Sequence, residues 1–597
     1  MDLHGSSTGT RLPRHRLLRD LTLVSVSMMS TSAERPWLHL YDAGVPADVE
    51  VPDQPLTAFL AASTRRVPDR TAIRFFGRSI TYRELDAAAN RFANALIDLG
   101  VKKGDRVALY MPNCPQMVIA YYGGLRAGAV VVPCSPLYVE SELEHQLADS
   151  DASVIVCLSA LFSRVQSVRS RLPGLHHVLV TNIKEYFPVR LRLLFTIAKE
   201  RKDGHRVRLP RDGQTASLAR VVARASAADP KVAVSGDDLA LLQYTGGTTG
   251  TAKAAMLSHR NLVANTLQVR AWVSNLAAPD GSDVVLGVIP LFHIYAMTTV
   301  MNFSIAGGGT MILQPRFVLE DVLKAIHREK PQLFPGVPTM YMALNQAPHL
   351  ERFNLHSLKG AISGAASLPR EVQARFEELT GAQLVEGYGL TEASPVTHCS
   401  PLEGLRKPGS IGIPMPSTDA AIFDQETGTQ RLGVGETGEL AVRGPQVMQG
   451  YWKRPEESAQ VLRDGWLFTG DIACMDEQGY FRIVDRKKDL IITGGMNVYP
   501  RDVEEPLYAH PKVQEAVAVG IPDDRWGEAV KVYIVLKDGQ SATEQEILEY
   551  CHARMARYKV PKSVEFRAEL PKTLVGKFLR RKLLEEEQAR QLAQRAS

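Results

Sequence analysis

Short runs of β-branched residues alternate with helical patterns along most of this chain, from about Trp37 to Val484. Val130-Val-Val-Pro133 and Val154-Ile-Val-Cys157 are typical of buried strands, whereas Glu140-Ser-Glu-Leu-Glu-His-Gln-Leu147 repeats apolar residues at helical spacing. Strands that alternate with helices form largely parallel sheets whose faces are covered by those helices. The pattern therefore predicts the α/β fold class, with a large N-terminal domain of layered α/β sheets.

A charged stretch, Asp485-Arg-Lys-Lys-Asp-Leu490, separates this body from a smaller C-terminal region. In that region Val513–Val519 and Val530–Leu536 are typical of strands, and Glu544–Arg554 is typical of a helix. A chain of 597 residues is also too long for one compact core. We predict a large domain over residues 36–486 and a small α+β domain over residues 487–597.

The first 35 residues do not follow the α/β pattern. Arginines at positions 11, 14, 16 and 19 precede the apolar run Leu21–Met29, an order faintly like that of a secretion signal, but Asp20 interrupts the approach to the run. Met28 and Met29 are candidates for the true translation start. We expect residues 1–35 to be a leader that is disordered or carries a mis-assigned start, with a secretion signal as the alternative.

Composition excludes several classes of protein. Hydrophobic residues make up 45% of the chain, charged residues 23%, and mean hydropathy is -0.11, as in globular proteins. Lys and Arg exceed Asp and Glu by only five (70 against 65), so the charge does not indicate nucleic acid, while anionic substrates and lipid headgroups remain open. Six cysteines without a CxxC pair argue against a zinc site or a disulfide framework and favour the cytoplasm.

One segment, residues 184–212, carries a local excess of positive charge. It contains nine Lys or Arg against four Asp or Glu, a surplus of five. A basic amphipathic helix of this kind rests on anionic membrane surfaces, although Arg190 and Arg201 fall close to the apolar stripe. The alternatives are peripheral membrane contact and an ordinary surface helix. The predicted stripe consists of Phe187, Leu191, Leu194, Phe195 and Ala198.

A glycine- and threonine-rich loop follows the predicted strand Leu239–Tyr244 and precedes a helix opened by Ser258. Glycines let backbone N–H groups converge on one point, threonine hydroxyls add donors, and a lysine adds positive charge, as a polyphosphate cradle requires. It is not a Walker A loop, because Thr251 and Ala252 separate the last glycine from the lysine. The alternative is a generic turn. The predicted phosphate contacts are Thr245, Gly246, Gly247, Thr248, Thr249, Gly250 and Lys253.

This loop and further segments, in matching order, resemble the adenylate-forming enzymes, which include acyl-CoA synthetases, peptide-synthetase adenylation domains and firefly luciferase. The resemblance covers residues 50–585 and is greatest to bacterial long-chain fatty-acid:CoA ligases, through residues 242–250, Met496–Pro500 and the basic segment. Ala252 and Ala254 stand where that family usually has Pro and Gly. The matching segments are Pro290–Ala296, Ser363–Ser367, Glu386–Glu392, Gly465–Asp471, Asp485–Gly495 and Pro571–Lys577.

The resemblance implies a nucleotide site in the large domain. Glu392, with Thr245, would hold the magnesium that bridges the ATP phosphates, and Thr391 would bind the α-phosphate. Asp471 and Arg486 would contact the ribose. The remaining implied nucleotide contacts, which would surround the adenine, are Gly364, Ala365, Ala366, Glu386, Gly387, Tyr388 and Gly389.

For the catalytic groups, the resemblance implies that Lys577 reaches the carboxylate and the α-phosphate during adenylation. The small domain would then be mobile and would swing about Lys488, bringing Gly494 and Gly495 to line the pantetheine channel. His293 would gate that channel; a structural core histidine is the alternative. The apolar residues that follow it would line the acyl pocket or belong to the core, namely Ile294, Ala296, Met297 and Val300.

These roles imply an acid:CoA ligase that converts a medium- to long-chain fatty acid, ATP and coenzyme A to acyl-CoA, AMP and diphosphate through an acyl adenylate. Magnesium would be the metal cofactor. The open alternatives are an aryl or short-chain acid:CoA ligase, a ligase that loads a carrier protein, and a luciferase-like oxygenase. The resemblance also leaves an oligomer open. We expect a cytoplasmic protein, with peripheral contact on the inner membrane face as an option.

Overall fold

The computed structural model describes residues 35–245, 252–523, 525–573 and 576–596. Within these ranges the strands form four sheets, and helices cover the two largest. The fold is mixed α/β, with a large N-terminal and a small C-terminal domain, which confirms the predicted class. The boundary between residues 486 and 487 stays a prediction, as does the leader; of residues 1–35 only Arg35 is described, and it pairs with Asp48 and Asp419.

The strands of the large domain belong to three sheets. Their bounds are β1 Thr71–Phe75, β2 Arg78–Thr81, β3 Arg106–Tyr110, β4 Val130–Cys134, β5 Ala152–Leu158, β6 His177–Thr181, β7 Thr215–Ser217, β8 Leu239–Thr245, β9 Lys253–Ser258, β10 Val284–Gly287, β11 Thr310–Leu313, β12 Leu333–Gly336, β13 Gly360–Ser363, β14 Gln383–Gly389, β15 Val396–Cys399, β16 Ile413–Pro414, β17 Asp419–Phe423, β18 Thr437–Arg443, β19 Leu462–Arg463, β20 Trp466–Met475 and β21 Phe481–Arg486. The fourth sheet contains β22 Ile491–Thr493, β23 Met496–Val498, β24 Val513–Asp523, β25 Gly527–Leu536 and β26 Ser563–Phe566.

The α-helices are interleaved with these strands. Their bounds are α1 Ala58–Arg66, α2 Tyr82–Asp98, α3 Pro115–Arg126, α4 Glu140–Asp149, α5 Phe162–Arg169, α6 Val189–Ala198, α7 Leu218–Arg224, α8 His259–Trp272, α9 Ile294–Ala296, α10 Phe303–Gly307, α11 Leu319–Glu329, α12 Pro338–Asn345, α13 Arg370–Thr380, α14 Pro455–Val461, α15 Pro500–Tyr508, α16 Glu544–His552 and α17 Arg580–Ala596. A π-helical turn, Met297–Asn302, joins α9 to α10.

Two large sheets have parallel centres, as the alternating pattern predicts. The nine-stranded sheet has the order β16-β15-β14-β13-β12-β10-β11-β1-β2, and its strands run parallel from β14 to β1. The seven-stranded sheet has the order β7-β6-β5-β3-β4-β8-β9, with only β9 antiparallel to its neighbour. Side chains of β3, β4 and β5 are almost all buried, since helices lie on both faces.

The third and fourth sheets are mostly antiparallel. In the third, β17, β18, β20 and β21 pair in turn, and Asp471 on β20 lies opposite Arg486 on β21. In the fourth, β24 and β25 form a long hairpin, and α15, α16 and α17 accompany it. Residues 486 and 491 lie in different sheets, so the charged stretch between them connects the two.

One strand near the phosphate loop was not predicted. Residues Lys253–Ser258 form β9, antiparallel to β8, before Ser258 caps α8. The sequence Lys-Ala-Ala has little intrinsic strand preference, and the pairing comes from β8 on one side and from backbone bonds to residues 449–452 on the other. The predicted helix start at Ser258 is correct, because its hydroxyl accepts the N–H of Asn261.

The helix within the basic segment is α6, but its inward face differs from the predicted stripe. Leu191 and Phe195, two members of the predicted stripe, pack against the core. Leu194, in contrast, is 64% exposed, and Val189, Leu193 and Ile197 are 74%, 59% and 86% exposed. The outward face of α6 is therefore apolar. Among the described residues, no helix combines the length and the apolar character needed to cross a bilayer.

Candidate active site

The predicted phosphate loop joins β8 to β9. Thr245 ends β8, and its hydroxyl donates to the carbonyl oxygen of Lys253 across the pair at 3.4 Å. Both ends of the loop are therefore held at a fixed separation by the strand pair. The predictions for Gly246, Gly247, Thr248, Thr249 and Gly250 fall outside the described residues.

Three residues predicted to bind the nucleoside form one connected cluster. The hydroxyl of Tyr388 donates to Oδ2 of Asp471 at 2.6 Å, and Arg486 Nε lies 3.4 Å from the other carboxylate oxygen. Burial, and then the Asp471 charge, raises the pKa of Tyr388 well above its usual value, so the hydroxyl stays a donor. The cluster unites β14 with β20 and β21, and it leaves the carboxylate at the edge of a partly open site.

The turn Gly364–Ala366 follows β13 and was predicted to approach the adenine. Gly364 is buried, and a Cβ added there would lie 3.1 Å from the ring of Tyr295. Ala365 adopts φ of +70°, a conformation rare for residues with a side chain, and Ala365 and Ala366 are both exposed. Small exposed methyl groups leave room for a flat ring, and Tyr295 fills the opposite side of the turn.

Tyr295 is a site residue that the sequence reasoning missed. Its hydroxyl donates to the carbonyl oxygen of Ile362 at 2.7 Å and to that of Gly336 at 3.2 Å. It thereby joins β12, β13 and the segment that carries His293. The only signal was its place in the motif Pro290–Ala296.

Glu386 supports the same turn rather than projecting freely. Its carboxylate accepts the backbone N–H of Leu368 at 3.0 Å, and burial raises the pKa of the carboxyl to about 7. Its neighbours on β14, Gly387 and Gly389, have no side chain, so the backbone of residues 395–399 can lie close to this strand. A Cβ on Gly389 would lie 2.1 Å from the carbonyl oxygen of Pro395. The contact of these three residues with a nucleotide stays a prediction.

Glu392, the predicted metal ligand, lies in the short 3₁₀ turn Thr391–Ala393. The hydroxyl of Tyr451 donates to Glu392 Oε1 at 2.7 Å and fixes the carboxylate. Burial and the nearby carboxylate raise the pKa of Tyr451, which keeps it protonated. In the described part of the chain no group of three His, Cys, Asp or Glu side chains forms a metal cage. One fixed carboxylate fits magnesium, which uses few protein ligands and completes its shell with phosphate oxygens and water.

Lys253, predicted to bind phosphate, already has an anionic neighbour. Its ammonium forms an ion pair with Oε2 of Glu457 and lies 5.4 Å from the ring centroid of Tyr451. Both charged side chains are about one-third exposed, at 34% and 32%. No local pattern singles out Glu457, because its pair with Lys253 spans more than two hundred residues and forms only when α14 lies beside β9.

A polar cavity of 460 Å³ opens beside Glu392. Its walls include Tyr451, Thr469, Lys487 and the buried carboxylate of Glu439. Glu439 accepts the N–H of Gly470 at 3.1 Å and pairs with Lys487 at 2.9 Å. This carboxylate therefore anchors the residue before Asp471 and the residue after Arg486, although sequence reasoning did not identify it.

Lys577 lies in a tight turn of the small domain. The N–H of Thr573 donates to the Lys577 carbonyl oxygen at 2.8 Å, and Gly576 adopts φ of +75°. A Cβ on Gly576 would lie 3.2 Å from Oγ1 of Thr339 at the start of α12, so this turn abuts the large domain. Burial, and then the charge of Arg486, lowers the pKa of Lys577 to about 7. The structure thus brings the predicted lysine to the nucleoside cluster.

His293 lies close enough to that lysine for the ammonium charge to act on its imidazole. Its Nδ1 accepts the N–H of Tyr295 at 3.3 Å, as the cap of α9. Burial, and then the charge of Lys577, lowers the pKa of His293 to about 4, so the imidazole is neutral at physiological pH. A channel-gating role stays a prediction.

Gly494 and Gly495 form the turn between β22 and β23 and are both exposed. Gly494 has φ of +58° and donates its N–H to the carbonyl oxygen of Trp526, whose ring would lie 2.6 Å from an added Cβ. A larger residue does not fit here without moving the indole. In this arrangement the turn faces solvent, while Lys577 is half-buried in a turn that abuts the large domain.

The residues predicted for the acyl pocket are fully buried. Ile294, Ala296, Met297 and Val300 have 1% exposure or less. A small apolar cavity of 20 Å³ lies nearby, and Thr299 of the π-helical turn is among its walls. Its other walls include residues of α8, α10, β12 and β13, among them Val269, Phe303, Phe334, Pro335 and Ala361.

Two family models match the chain. The model of the AMP-binding enzyme family covers residues 60–452, and that of the AMP-binding enzyme C-terminal domain covers residues 502–577. The matches include Glu392 in the first range and Lys577 at the end of the second. Together they span both domains of the fold.

Curated relatives and solved structures are similar over nearly the whole chain. A long-chain-fatty-acid–CoA ligase of Bacillus subtilis (strain 168) is 48% identical over 560 residues, 93% of this chain and 98% of that protein. A feruloyl-CoA synthase of an Amycolatopsis species is 37% identical over 88% of this chain and 98% of its own length. The crystal structure of ATP-bound MatB from Rhodopseudomonas palustris, 31% identical, gives a TM-score of 0.78 over 89% of this chain and 99% of that one. The apo form of the same protein gives 0.68, with the same identity and coverage.

Proposed function

This chain belongs to the AMP-binding enzyme family, and we infer that it is an AMP-forming long-chain fatty-acid:CoA ligase. The observation that carries the inference is the 48% identity to a long-chain-fatty-acid–CoA ligase over 93% of the chain. The reaction consumes a fatty acid, ATP and coenzyme A and yields acyl-CoA, AMP and diphosphate. The geometry around Lys577 accounts for its first step.

In the first step we propose that a carboxylate oxygen of the fatty acid attacks the α-phosphorus of ATP. The bond from that phosphorus to diphosphate breaks, and an acyl adenylate forms. Two anions must approach each other, so cationic groups at this point are worth several kcal/mol. Lys577 and Arg486 are close enough for each charge to influence the other, which supports their acting together on the reacting groups.

The nucleoside would bind along the Tyr388, Asp471 and Arg486 cluster. Asp471 presents its carboxylate to the two ribose hydroxyls, and the Tyr388 hydroxyl holds that carboxylate in place. The ring of Tyr388 and the methyl groups of Ala365 and Ala366 would enclose the adenine. Thr391 would bind the α-phosphate, and the phosphate loop with Lys253 would bind the rest of the triphosphate.

We propose that Glu392 and Thr245 hold magnesium together with the phosphates. The carboxylate is oriented by Tyr451, and the weak 3.4 Å bond of Thr245 lets its hydroxyl turn toward a metal. When bound, magnesium would neutralise charge on the phosphate oxygens. The protein's own part is to orient these two oxygen ligands.

The second step is transfer of the acyl group to the thiol of coenzyme A. The sulfur attacks the acyl carbonyl, the thiol proton is lost, and AMP leaves. We propose that the small domain, residues 487–597, swings about Lys488 for this step, so that Gly494 and Gly495 replace Lys577. The higher TM-score to ATP-bound than to apo MatB supports the present arrangement being the adenylating one.

The acyl chain would enter the apolar region between α8 and the nine-stranded sheet. The small apolar cavity there supports this location, and its residual volume of 20 Å³ means that side chains must move to admit a long chain. The feruloyl-CoA synthase relative favours an aryl acid as the second candidate substrate. A panel of saturated fatty acids and aryl acids, followed by diphosphate release with and without coenzyme A, tests both; maximal thioester formation with an aryl acid would overturn the long-chain proposal.

We further propose a cytoplasmic protein that contacts the inner membrane face through residues 184–212. The outward face of α6 supports this, because Val189, Leu193 and Ile197 are exposed while Arg190 and Arg192 flank them. A helix with an apolar face and basic edges binds anionic bilayers by partial burial and charge attraction. Fatty acids partition into the same bilayer, so such contact would place the enzyme beside its substrate.

A further inference from the structure

The two proposed reaction steps assign no role to the ion pair between Lys253 and Glu457. Lys253 begins β9 directly after the phosphate loop, and Glu457 lies in the first turn of α14. The lysine is the charge expected to meet the terminal phosphates of ATP, yet its ammonium contacts a carboxylate of the same chain. A phosphate group and Glu457 would therefore compete for one cation.

The two side chains are held in register by backbone pairing. Met256 donates its N–H to Gly450 at 2.8 Å, Trp452 donates to Ala254 at 2.9 Å, and Tyr451 bridges to Ala255. This short pairing fixes the segment that leads into α14 beside β9. Glu457 thus meets Lys253 because of the fold, rather than through two flexible surface side chains that happen to touch.

The other oxygen of Glu457 is directed toward Arg454. Arg454 Nε lies 3.7 Å from Glu457 Oε1, and its guanidinium also lies 3.2 Å from Asp149. Asp149 in turn accepts the hydroxyl of Tyr244, the residue before the phosphate loop, at 2.7 Å. When Lys253 turns to a phosphate, Glu457 keeps Arg454 as a cationic neighbour, so the exchange does not leave this partly exposed carboxylate unpaired.

The carboxylates near Lys253 make the competition between Glu457 and phosphate relevant to the release of diphosphate. Glu457 contacts Lys253 directly. Glu392 is linked to the lysine through Tyr451, whose ring lies near the ammonium and whose hydroxyl donates to Glu392. A diphosphate anion bound to Lys253 is repelled by the displaced Glu457, and the carboxylate regains its cation when the anion departs. An ion pair exposed by about one-third, like this one, is worth a few tenths to about 1 kcal/mol, which corresponds to roughly 2- to 5-fold in affinity.

We propose that Glu457 is a positioning residue that competes with the terminal phosphates of ATP, and with product diphosphate, for the ammonium of Lys253. It holds the lysine in place when no phosphate is bound, and it weakens retention of diphosphate. This inference rests on the proposed function only in taking ATP as the nucleotide. It assigns Glu457 a direct effect on the β- and γ-phosphates and none on AMP.

Glu457→Gln tests the proposal, with Glu456→Gln as the matched control. Glu456 precedes it on the same helix turn and is exposed. Calorimetric titration of the full-length proteins with ATP, diphosphate and AMP is the measurement. We expect Glu457→Gln to bind ATP and diphosphate 2- to 5-fold more tightly than wild type. AMP affinity should stay unchanged, as should all three affinities in Glu456→Gln.

Product inhibition gives a second measurement in the working enzyme. Diphosphate should inhibit Glu457→Gln at a 2- to 5-fold lower concentration than wild type, and salt should reduce that difference by screening the charges. Equal ATP affinity in both glutamine variants, or a weakening of ATP, diphosphate and AMP alike, would overturn the proposal, since both outcomes mean that the pair is only structural. Wild-type protein that binds ATP but forms no acyl-CoA would instead contradict the proposed function and leave the binding comparison intact.

Discussion

Tyr388 and Asp471 are separated by 83 positions in the sequence, yet the tyrosine hydroxyl donates to Oδ2 of the aspartate at 2.6 Å. The first residue lies on β14 of the nine-stranded sheet and the second on β20 of the third sheet. Arg486 contacts the remaining oxygen of the same carboxylate. The carboxylate that we propose as the ribose contact is therefore fixed before any nucleotide arrives, which would lower the ordering cost of binding.

Tyr388→Phe keeps the ring but removes the hydroxyl that holds Asp471. A hydrogen bond to a charged group contributes about 1.5 kcal/mol, so we expect the KM for ATP to rise about 10-fold. The kcat at saturating ATP should change by less than about 3-fold, because Lys577 is untouched. Tyr508→Phe, in the small domain, serves as the control. An unchanged KM for ATP in Tyr388→Phe would mean that Asp471 does not depend on this bond.

Lys577→Ala should separate the two half-reactions. The ammonium lies at the nucleoside cluster in this arrangement, so its loss should reduce acyl-adenylate formation by about 100-fold or more. Transfer from supplied acyl adenylate to coenzyme A should stay within about 3-fold of wild type, because we propose that Gly494 and Gly495, and not Lys577, serve that step. Lys582→Ala changes an exposed lysine of α17 and is the control. Equal loss of both half-reactions would contradict a role confined to adenylation.

The pH dependence of adenylation should show the lowered pKa of Lys577. Burial lowers that pKa to about 7, so the free enzyme loses the ammonium as the pH rises through 7. We expect kcat/KM for adenylate formation to fall with a slope of one above about pH 7. Lys577→Arg should be slow but should lack this basic limb, since a guanidinium stays protonated. If the fall above about pH 7 persists unchanged in Lys577→Arg, the titrating group is not Lys577. Glu386 would then be a candidate, because burial raises the pKa of its carboxyl to about 7.

The desolvated ammonium of Lys577 should lower the free energy of unfolding. The folded-state pKa of Lys577 lies below the value of 10.5 for an exposed lysine, so the unfolded chain binds more protons between pH 7 and 10.5. The destabilisation by the charged Lys577 is therefore fully present below pH 7 and disappears as the pH rises to 10.5. We expect Lys577→Met to have a higher Tm than wild type at pH 6.5, with the difference shrinking by pH 9.5. Calorimetry at both pH values measures this, and a lower Tm for the variant at pH 6.5 would contradict it.

Local sequence patterns predicted the strands that are buried on both faces. Residues 130–133 and 154–157 are β-branched runs with no competing helical pattern, and they lie in β4 and β5. The strand β9 was missed because its Lys-Ala-Ala start has no such signal and depends on pairing with β8. The candidate residues of the active site come from motif resemblance, since their proposed roles depend on neighbours that are distant in sequence.

The side chains that support those site residues could not be predicted. Tyr451, Glu439 and Glu457 contact partners that are distant from them in the sequence, and none of them stands in a distinctive local pattern. The predicted apolar stripe on α6 does not coincide with the face that packs on the core, because apolar residues lie on both faces of this helix. Periodicity identifies a helix, but it does not say which apolar face a neighbouring element will cover.

The outward face of α6 gives the last prediction, on membrane binding. Leu193 and Ile197 lie one turn apart and are 59% and 86% exposed, so replacing both with Ser removes apolar surface without opening the core. Burial of such side chains in a bilayer contributes about 1.5 kcal/mol or more each, and we expect at least a 10-fold loss of partition into vesicles containing phosphatidylglycerol. Leu405→Ser/Val434→Ser removes two other exposed apolar side chains, 53% and 50% exposed, and should bind vesicles like wild type.

Charge and apolar burial can be separated with a second variant on the same helix. Arg190→Gln/Arg192→Gln keeps the apolar face, so it should weaken binding to phosphatidylglycerol vesicles about 10-fold while leaving weak binding to neutral phosphatidylcholine vesicles unchanged. Leu193→Ser/Ile197→Ser should weaken both, because apolar burial does not depend on headgroup charge. Adenylate formation from a water-soluble short-chain acid should be equal in all variants, which shows that each is folded. If the wild-type protein does not bind vesicles of either composition, α6 is an ordinary surface helix.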